Sequence, residues 1–400
     1  MWWRAARVRR RIAGARAAST AAAAEEEEKS CRAVVVPRFG GPEVLEVRQG
    51  VPVPDLKPGE VLVRARAVSI NPLDLRMRSG YGRSIFEPVL PLIIGRDISG
   101  EVAATGTSVS SFTMGQEVFG ALHPTAIRGT YTDYAILSQD ELTSKPSTLS
   151  HVEASAIPFA ALTAWRAFHG TARISEGQRV LVIGGGGAVG LAAIQLAVAA
   201  GCSVSATCGT KSIEQVLAAG AEKAIDYTAE VSTQASHILD MSSYLSLFVF
   251  SKIELVHSRN GYLMDTESAV KGNFDAVLDT IGVPETERIG INVLRRGGHY
   301  MTLQGEAAAL ADRYGLAVGL PAATAVLLKK QMQYRYSHGI DYWWTYMRAD
   351  SEGLHEIQRL SGAGKLQIPV EKTFPISQVR EAHEAKEKRL VPGKVVLEFD

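Results

Sequence analysis

Between residues 61 and 68 the chain alternates, with Val61, Val63, Ala65 and Ala67 on one set of positions and Arg64 and Arg66 on the other. A period of two sends successive side chains to opposite faces, so this stretch predicts a half-buried strand. Similar short strands are predicted at 98–103, 116–121 and 131–137, separated by Gly and Pro turns. From Ala33 to about Gln139 the pattern therefore predicts a mostly antiparallel β domain.

Past Pro158 the period changes. Residues 160–169 and then 179–220 begin a β-α-β alternation: a strand at 179–183, a helix at 187–200, a strand at 202–207 and a helix at 212–219 closed by Gly220. Strands at 224–227, 274–280 and 298–303 continue it, which predicts an α/β architecture with a doubly wound parallel sheet. The last strand, 394–399, reads as a return to the first domain. The predicted units are a leader and acidic linker at 1–30, the β domain at 31–160, the parallel domain at 161–345 and the C-terminal return at 346–400. The apolar stretch 315–328, interrupted by Pro321, is too short to cross a bilayer, which takes about 20 residues. It predicts a buried helix, with no transmembrane segment and a soluble mature protein.

One connection departs from this pattern. Between Tyr227 and Phe274 lie 46 residues, where neighbouring strands of such a sheet need about a dozen, helix included. Residues 231–264 account for the excess and carry an apolar run, 244–250, without matching turn chemistry. They are expected to be an insertion arising from alternative splicing or intron retention, with a functional lid as the alternative.

Composition narrows the class. At 400 residues and 46% hydrophobic content, two or three packed domains are expected, and disordered or disulfide-stapled chains are excluded. The net charge of +1 gives no basic field for nucleic acid. Six arginines and no acid stand within residues 1–20, leaving −5 for the remainder. Such an Arg- and Ala-rich start reads as a mitochondrial transit peptide, with a plastid leader or a disordered basic tail as alternatives. Glu25 to Glu28 follow as a solvated spacer. Cys31, Cys202 and Cys208 are too few for a four-cysteine metal site, and no Cys or His cluster has ligand spacing.

The run Gly184-Gly-Gly-Gly-Ala-Val-Gly190 follows a predicted strand and opens a predicted helix. Gly185, Gly187 and Gly190 satisfy G-x-G-x-x-G, and with Gly186, Ala188 and Val189 they predict a dinucleotide pyrophosphate held on free N–H groups at a helix start. An acid some twenty residues beyond would bind the 2′-hydroxyl of NAD. None is present: the second strand ends in Thr207-Cys-Gly-Thr-Lys. Gly209, Thr210 and Lys211 therefore favour NADPH, with Lys211 as an ordinary solvated helix-start residue as the alternative.

These motifs occur in an order that resembles the medium-chain dehydrogenase/reductases, in their zinc-free quinone oxidoreductase branch. Residues 69–81, with Asn71-Pro-x-Asp74 and Met77-Arg-Ser-Gly-Tyr81, then Gly95-Arg-Asp-Ile-Ser-Gly100, Ala161-Leu-Thr-Ala-Trp165, the glycine run and Thr373-Phe-Pro-Ile376 carry the resemblance. It implies a GroES-like β domain beside a Rossmann domain. It also implies that Asn71 and Arg96 stand where zinc-dependent relatives have Cys and His ligands, that the four-cysteine lobe is missing, and that no metal takes part. Thr163 matches a threonine near the nicotinamide and Tyr227 a tyrosine near the 2′-phosphate, while Ala188 replaces a common second glycine.

The resemblance further implies hydride transfer from NADPH to a quinone or conjugated enone in the mitochondrion, with the matrix as the expected sublocation. Asn71 and Tyr81 are then candidate donors to the acceptor, and Arg96 a fixed positive charge. Their alternatives are a turn cap for Asn71, a core position for Tyr81 and a pair with Asp97 for Arg96. A homodimer and a reticulon-like or ubiquinone-pathway protein are the implied partners. A catalytically weak NADPH-binding assembly factor is the rival reading.

Overall fold

The computed structural model describes residues 30–227, 273–388 and 393–400. The predicted leader, its acidic spacer and the predicted insertion lie outside the described residues.

The first sheet system is built from β1 (Ser30–Val36), β2 (Glu46–Pro52), β3 (Glu60–Ser69), β4 (Leu92–Ile93), β5 (Asp97–Thr105), β6 (Glu117–Ala121), β7 (Tyr134–Ser138) and β8 (Leu142–Ser144). The C-terminal strands β15 (Val370–Pro375) and β16 (Lys394–Glu398) complete it. Its main sheet runs β15-β16-β3-β5-β6-β8, with β7 also on β3, and β2-β1-β4 form a smaller sheet. The alternation along β3 works as expected: Val61, Val63, Ala65 and Ala67 are buried, and Arg64 is exposed. The tail returns because Val396, Leu397 and Glu398 pair antiparallel with Ser69, Val68 and Ala67, which puts Lys394 beside the end of β3.

The second sheet is parallel throughout. It contains β9 (Arg179–Ile183), β10 (Ser203–Cys208), β11 (Lys223–Asp226), β12 (Phe274–Asp279), β13 (Leu294–Thr302) and β14 (Asp341–Trp344), in the order β11-β10-β9-β12-β13-β14. Val180 to Ile183 are all fully buried, as expected of a strand covered by helices on both faces. The chain reverses its direction of travel at β9 and β12, and ligands of such sheets bind in the crevice at the carboxyl ends of those strands.

Two expectations are corrected. The strands on either side of the long connection are not neighbours, because β10 and β9 lie between β11 and β12. That connection must pass from one end of the described sheet to its middle, so the dozen residues that join neighbouring strands are the wrong yardstick. The apolar stretch 315–328 does form a helix, Leu316–Ser337, but it is not buried. Val318 is 59% and Leu328 53% exposed, and only Gly319 and Ala323 are buried along it. Gly319 lets the helix press on Ala311, where a Cβ would come within 2.4 Å of the Cα. Apolar residues all round a helix do not say which side has a neighbour. Among the described residues no helix is long and apolar enough to cross a membrane.

Candidate functional site

A cavity of about 320 Å³ opens between the two sheet systems. Asn71, Pro72, Leu73, Arg76, Tyr81 and Pro124 line it from the β domain. Phe159, Thr163, residues 187–190, Thr280, Gln304 and Thr345 are among those that face them.

The glycine run makes its side of the cavity from backbone. Gly184 has φ +83°, a left-handed conformation that suits glycine and ends β9. Its N–H donates to Thr207 Oγ1, and the Gly185 N–H to the Thr207 carbonyl. The glycines then serve different needs. A Cβ on Gly190 would lie 2.3 Å from the Gly184 oxygen, one on Gly185 2.8 Å from Ala206 Cβ, and one on Gly186 2.6 Å from the Ser212 side chain. Gly187 differs, since no atom of the described residues comes closer than 3.7 Å to its missing Cβ. Protein packing does not require glycine there, but an anion resting on the first N–H groups of the helix Ala188–Ala199 would. The loop therefore fits a dinucleotide pyrophosphate. Thr345 adds a second sign of a ligand: the residue lines the cavity, and its buried hydroxyl has no hydrogen-bond partner among the described residues.

The opposite wall is polar and held from behind. Asn71 precedes the helix Pro72–Arg78, and its backbone N–H donates to Asp74 Oδ2 at 2.7 Å. It is both a helix cap and a cavity residue. Its Nδ2 donates to Asp97 Oδ2 at 2.8 Å, while the Lys394 ammonium donates to Asn71 Oδ1 at 2.8 Å, to Asp97 Oδ2 at 2.9 Å and to Ser69 Oγ at 2.7 Å. The other carboxylate oxygen, Asp97 Oδ1, accepts from the Phe159 N–H at 2.7 Å. One carboxylate thus joins the β domain to the helix Pro158–Trp165, which carries Thr163.

Tyr81 lines the cavity, with the Arg76 guanidinium 5.9 Å from its ring centre, and burial pushes its hydroxyl pKa up. It stays protonated and able to donate. Arg96 is different, and both of its expected roles are corrected. It does not line the cavity or bond to Asp97. Its guanidinium donates to the carbonyls of Gly95, Pro124, Ala126 and Arg128 and to Met77 Sδ, so it holds the turn that carries Pro124. Behind it Asp74 is fully buried, and burial pushes its carboxyl up to about 6.

Gly209, Thr210, Lys211 and Tyr227 do not line this cavity; they lie just past the ends of β10 and β11. Lys211 is exposed. The Thr210 hydroxyl donates to Asp226 Oδ2 at 2.7 Å, which sets a carboxylate beside the residue expected to meet a 2′-phosphate. Lys394 and Thr345 escaped the sequence reading. A lysine opening the otherwise apolar strand Lys394-Val-Val-Leu was the available signal; Thr345 offered none.

The residues at this wall do not fit a zinc site. Asn71 and Asp97 already bond a cation, the Lys394 ammonium, and among the described residues no group of three or more His, Cys, Asp or Glu is placed to hold a metal.

Sequence comparisons agree with this architecture. The pattern of the alcohol dehydrogenase GroES-like domain matches residues 57–147, and that of a zinc-binding dehydrogenase matches residues 219–397. The chain belongs to the medium-chain dehydrogenase/reductase family, and it is an NAD(P)H oxidoreductase of the quinone oxidoreductase type that uses a nicotinamide cofactor. It is similar to NAD(P)H oxidoreductase RTN4IP1, mitochondrial, of Mus musculus, with 32% identity over 384 residues that cover 91% of this chain and 88% of the relative. It is also similar to 2-methylene-furan-3-one reductase of Solanum lycopersicum, at 36% over 199 residues, 48% of this chain and 51% of that one. Among solved structures, the quinone oxidoreductase of Coxiella burnetii is similar at 26% identity and a TM-score of 0.70, covering 92% of this chain and 99% of that one.

Proposed function

We propose that this chain is a mitochondrial reductase that uses NADPH, without a metal, to reduce a quinone or a conjugated enone. The observation that carries the reading is a cavity with Gly187 on one side and Asn71 and Tyr81 on the other. When bound, the cofactor supplies a hydride to the acceptor. The chain's own part is to hold the acceptor's oxygen against neutral donors where negative charge develops, and no buried metal ion is needed for that. Asn71 Nδ2 and the protonated Tyr81 hydroxyl are those donors; Leu73 and Phe159 exclude water from the reacting face. The proton that completes the hydroquinone comes from solvent.

Preference for NADPH over NADH rests on Lys211, with Tyr227 nearby, since the Thr210 hydroxyl is bonded to Asp226. The arginine-rich start and the mitochondrial relatives support the location. The test is steady-state oxidation of NADPH with a panel of quinones and enones, in protein dialysed against a strong chelator. Turnover that survives dialysis is expected; binding of NADPH without turnover on any acceptor would favour the assembly-factor reading. By calorimetry NADPH should bind more tightly than NADH, with Lys211→Ala weakening NADPH alone by about tenfold, the scale of one exposed phosphate contact at low salt. Equal affinity for both cofactors would remove the preference.

A further inference from the structure

Asn71 is held by two groups that can each bond it in only one way. Lys394 offers only donors, so the side-chain atom it meets at 2.8 Å must be the amide oxygen. The Asp97 carboxylate offers only acceptors, so the atom it meets at 2.8 Å must be the amide nitrogen. Reversing the amide would set oxygen against carboxylate and NH₂ against ammonium, losing both bonds at once. Ionised partners on both sides make this a stronger choice than neutral ones would.

The three groups are all but sealed from water: Asn71 is 2% exposed, Lys394 3% and Asp97 0%. One of the two Nδ2 hydrogens is used by Asp97, and no second acceptor for that nitrogen is found among the described residues. The residue lines the cavity. The remaining N–H is therefore left for whatever oxygen the cavity receives. The ammonium on Oδ1 also polarises the amide, which strengthens its nitrogen as a donor.

We propose that Lys394 is a positioning residue: with Asp97 it locks the Asn71 amide so that one N–H faces the acceptor. The kinetic consequence rests on the reading above, in which a carbonyl oxygen binds beside Asn71; the lock itself does not. Lys394 reaches this place only because β16 returns to pair with β3, so the last strand of the chain completes the acceptor wall.

Lys394→Met alone leaves Asp97 buried without its counter-ion and can fail to fold, so the decisive variant is the neutral pair Asp97→Asn with Lys394→Met. In it Asn at 97 keeps an oxygen for the Phe159 N–H and turns its own NH₂ toward Asn71, which must then reverse to accept. The cavity meets an amide oxygen in place of an N–H. With a short-chain benzoquinone, kcat should fall about tenfold or more, the scale of a misplaced or lost oxyanion donor, while the dissociation constant of NADPH stays within about twofold. Adding Asn71→Ala to the pair should cost no more than about twofold further. Unchanged kcat in the pair, or losses that multiply on adding Asn71→Ala, would overturn the proposal.

A second readout needs no turnover. The chain has four asparagines, so ¹⁵N-asparagine labelling yields a sparse side-chain amide spectrum in which Asn71→Ala identifies the Asn71 pair of signals. Those signals should be displaced in the neutral pair. If they do not move, the lock is refuted. If wild-type protein reduces no quinone or enone, the functional reading fails by itself, and the displacement still decides the lock.

Discussion

The glycine run 184–190 lends the cavity four consecutive lining residues, 187–190, whereas the opposite wall gathers Asn71, with Ser69, Asp97 and Lys394 behind it, from two strand ends, a turn and the C-terminal return. The first is a matter of backbone shape, in which the important side chains are the ones that are missing. The second is a matter of charge, in which a buried ion pair holds a neutral amide. Steric construction should be sensitive to added atoms and indifferent to pH. Electrostatic construction should be sensitive to removed partners and respond to acid through the groups behind it.

The largest effect is expected from Asp97→Ala. It leaves the Lys394 ammonium buried without a counter-ion, which costs about 3–5 kcal/mol. Urea unfolding monitored by tryptophan fluorescence measures this, and a loss below about 1 kcal/mol would show that the ion pair does not hold the wall. Next is Gly190→Ala on the cofactor side. Its new Cβ would press on the Gly184 oxygen, and overpacking of this kind costs about 1–3 kcal/mol.

Gly187→Ala makes the sharper contrast because its Cβ meets no atom of the described residues closely. Stability should change by about 1 kcal/mol or less, the scale of a helix N-cap exchange, while NADPH affinity falls about tenfold, or about 1.4 kcal/mol. Calorimetry beside a melting curve separates the two. If affinity holds, Gly187 is not the residue that lets the pyrophosphate approach.

The smallest effect at neutral pH concerns the groups behind the acceptor wall. Arg78 Nη1 lies 3.2 Å from His383 Nδ1 and can only donate to it, so His383 carries its proton on Nε2, 3.3 Å from the Tyr131 hydroxyl. Burial, with Arg78 beside it, pushes His383 down to about 3 from an ordinary 6.5. Between those values the unfolded chain takes up a proton that the folded one refuses, so stability is lost as pH falls from about 6.5 toward 3. Asp74 has the opposite sign. Raised to about 6 from 3.8, it holds a proton in the folded state first, and so it adds stability as pH falls through that range. His383→Gln keeps an acceptor and a donor but cannot charge; it should flatten the loss of stability between pH 7 and pH 4. Asp74→Asn should steepen it. Urea midpoints across that range with equal slopes in all three proteins would show that neither group titrates behind the wall.

Much of this molecule was legible in local pattern. The period-two stretch at β3, the apolar run of β9 and the glycine run all follow from neighbours in the chain, because strand faces and tight turns are set within a few residues. Asn71, Tyr81 and Thr163 could be singled out, and they do share a cavity with the glycine loop. What failed had a common cause. The exposure of the helix Leu316–Ser337, the separation of β11 from β12 and the partners of Arg96 all depend on what the rest of the chain brings alongside.

The sequence by itself determined the two sheet systems and the place of the glycine loop, since backbone conformation and side-chain periodicity are local properties. Tertiary structure alone decided that Arg96 supports a turn instead of lining the cavity, and that Lys394 lies against Asn71 and Asp97 from more than 290 positions away. A buried charge can be kept only where a counter-charge and hydrogen bonds meet it, and the pairing of β16 with β3 is what brings them together.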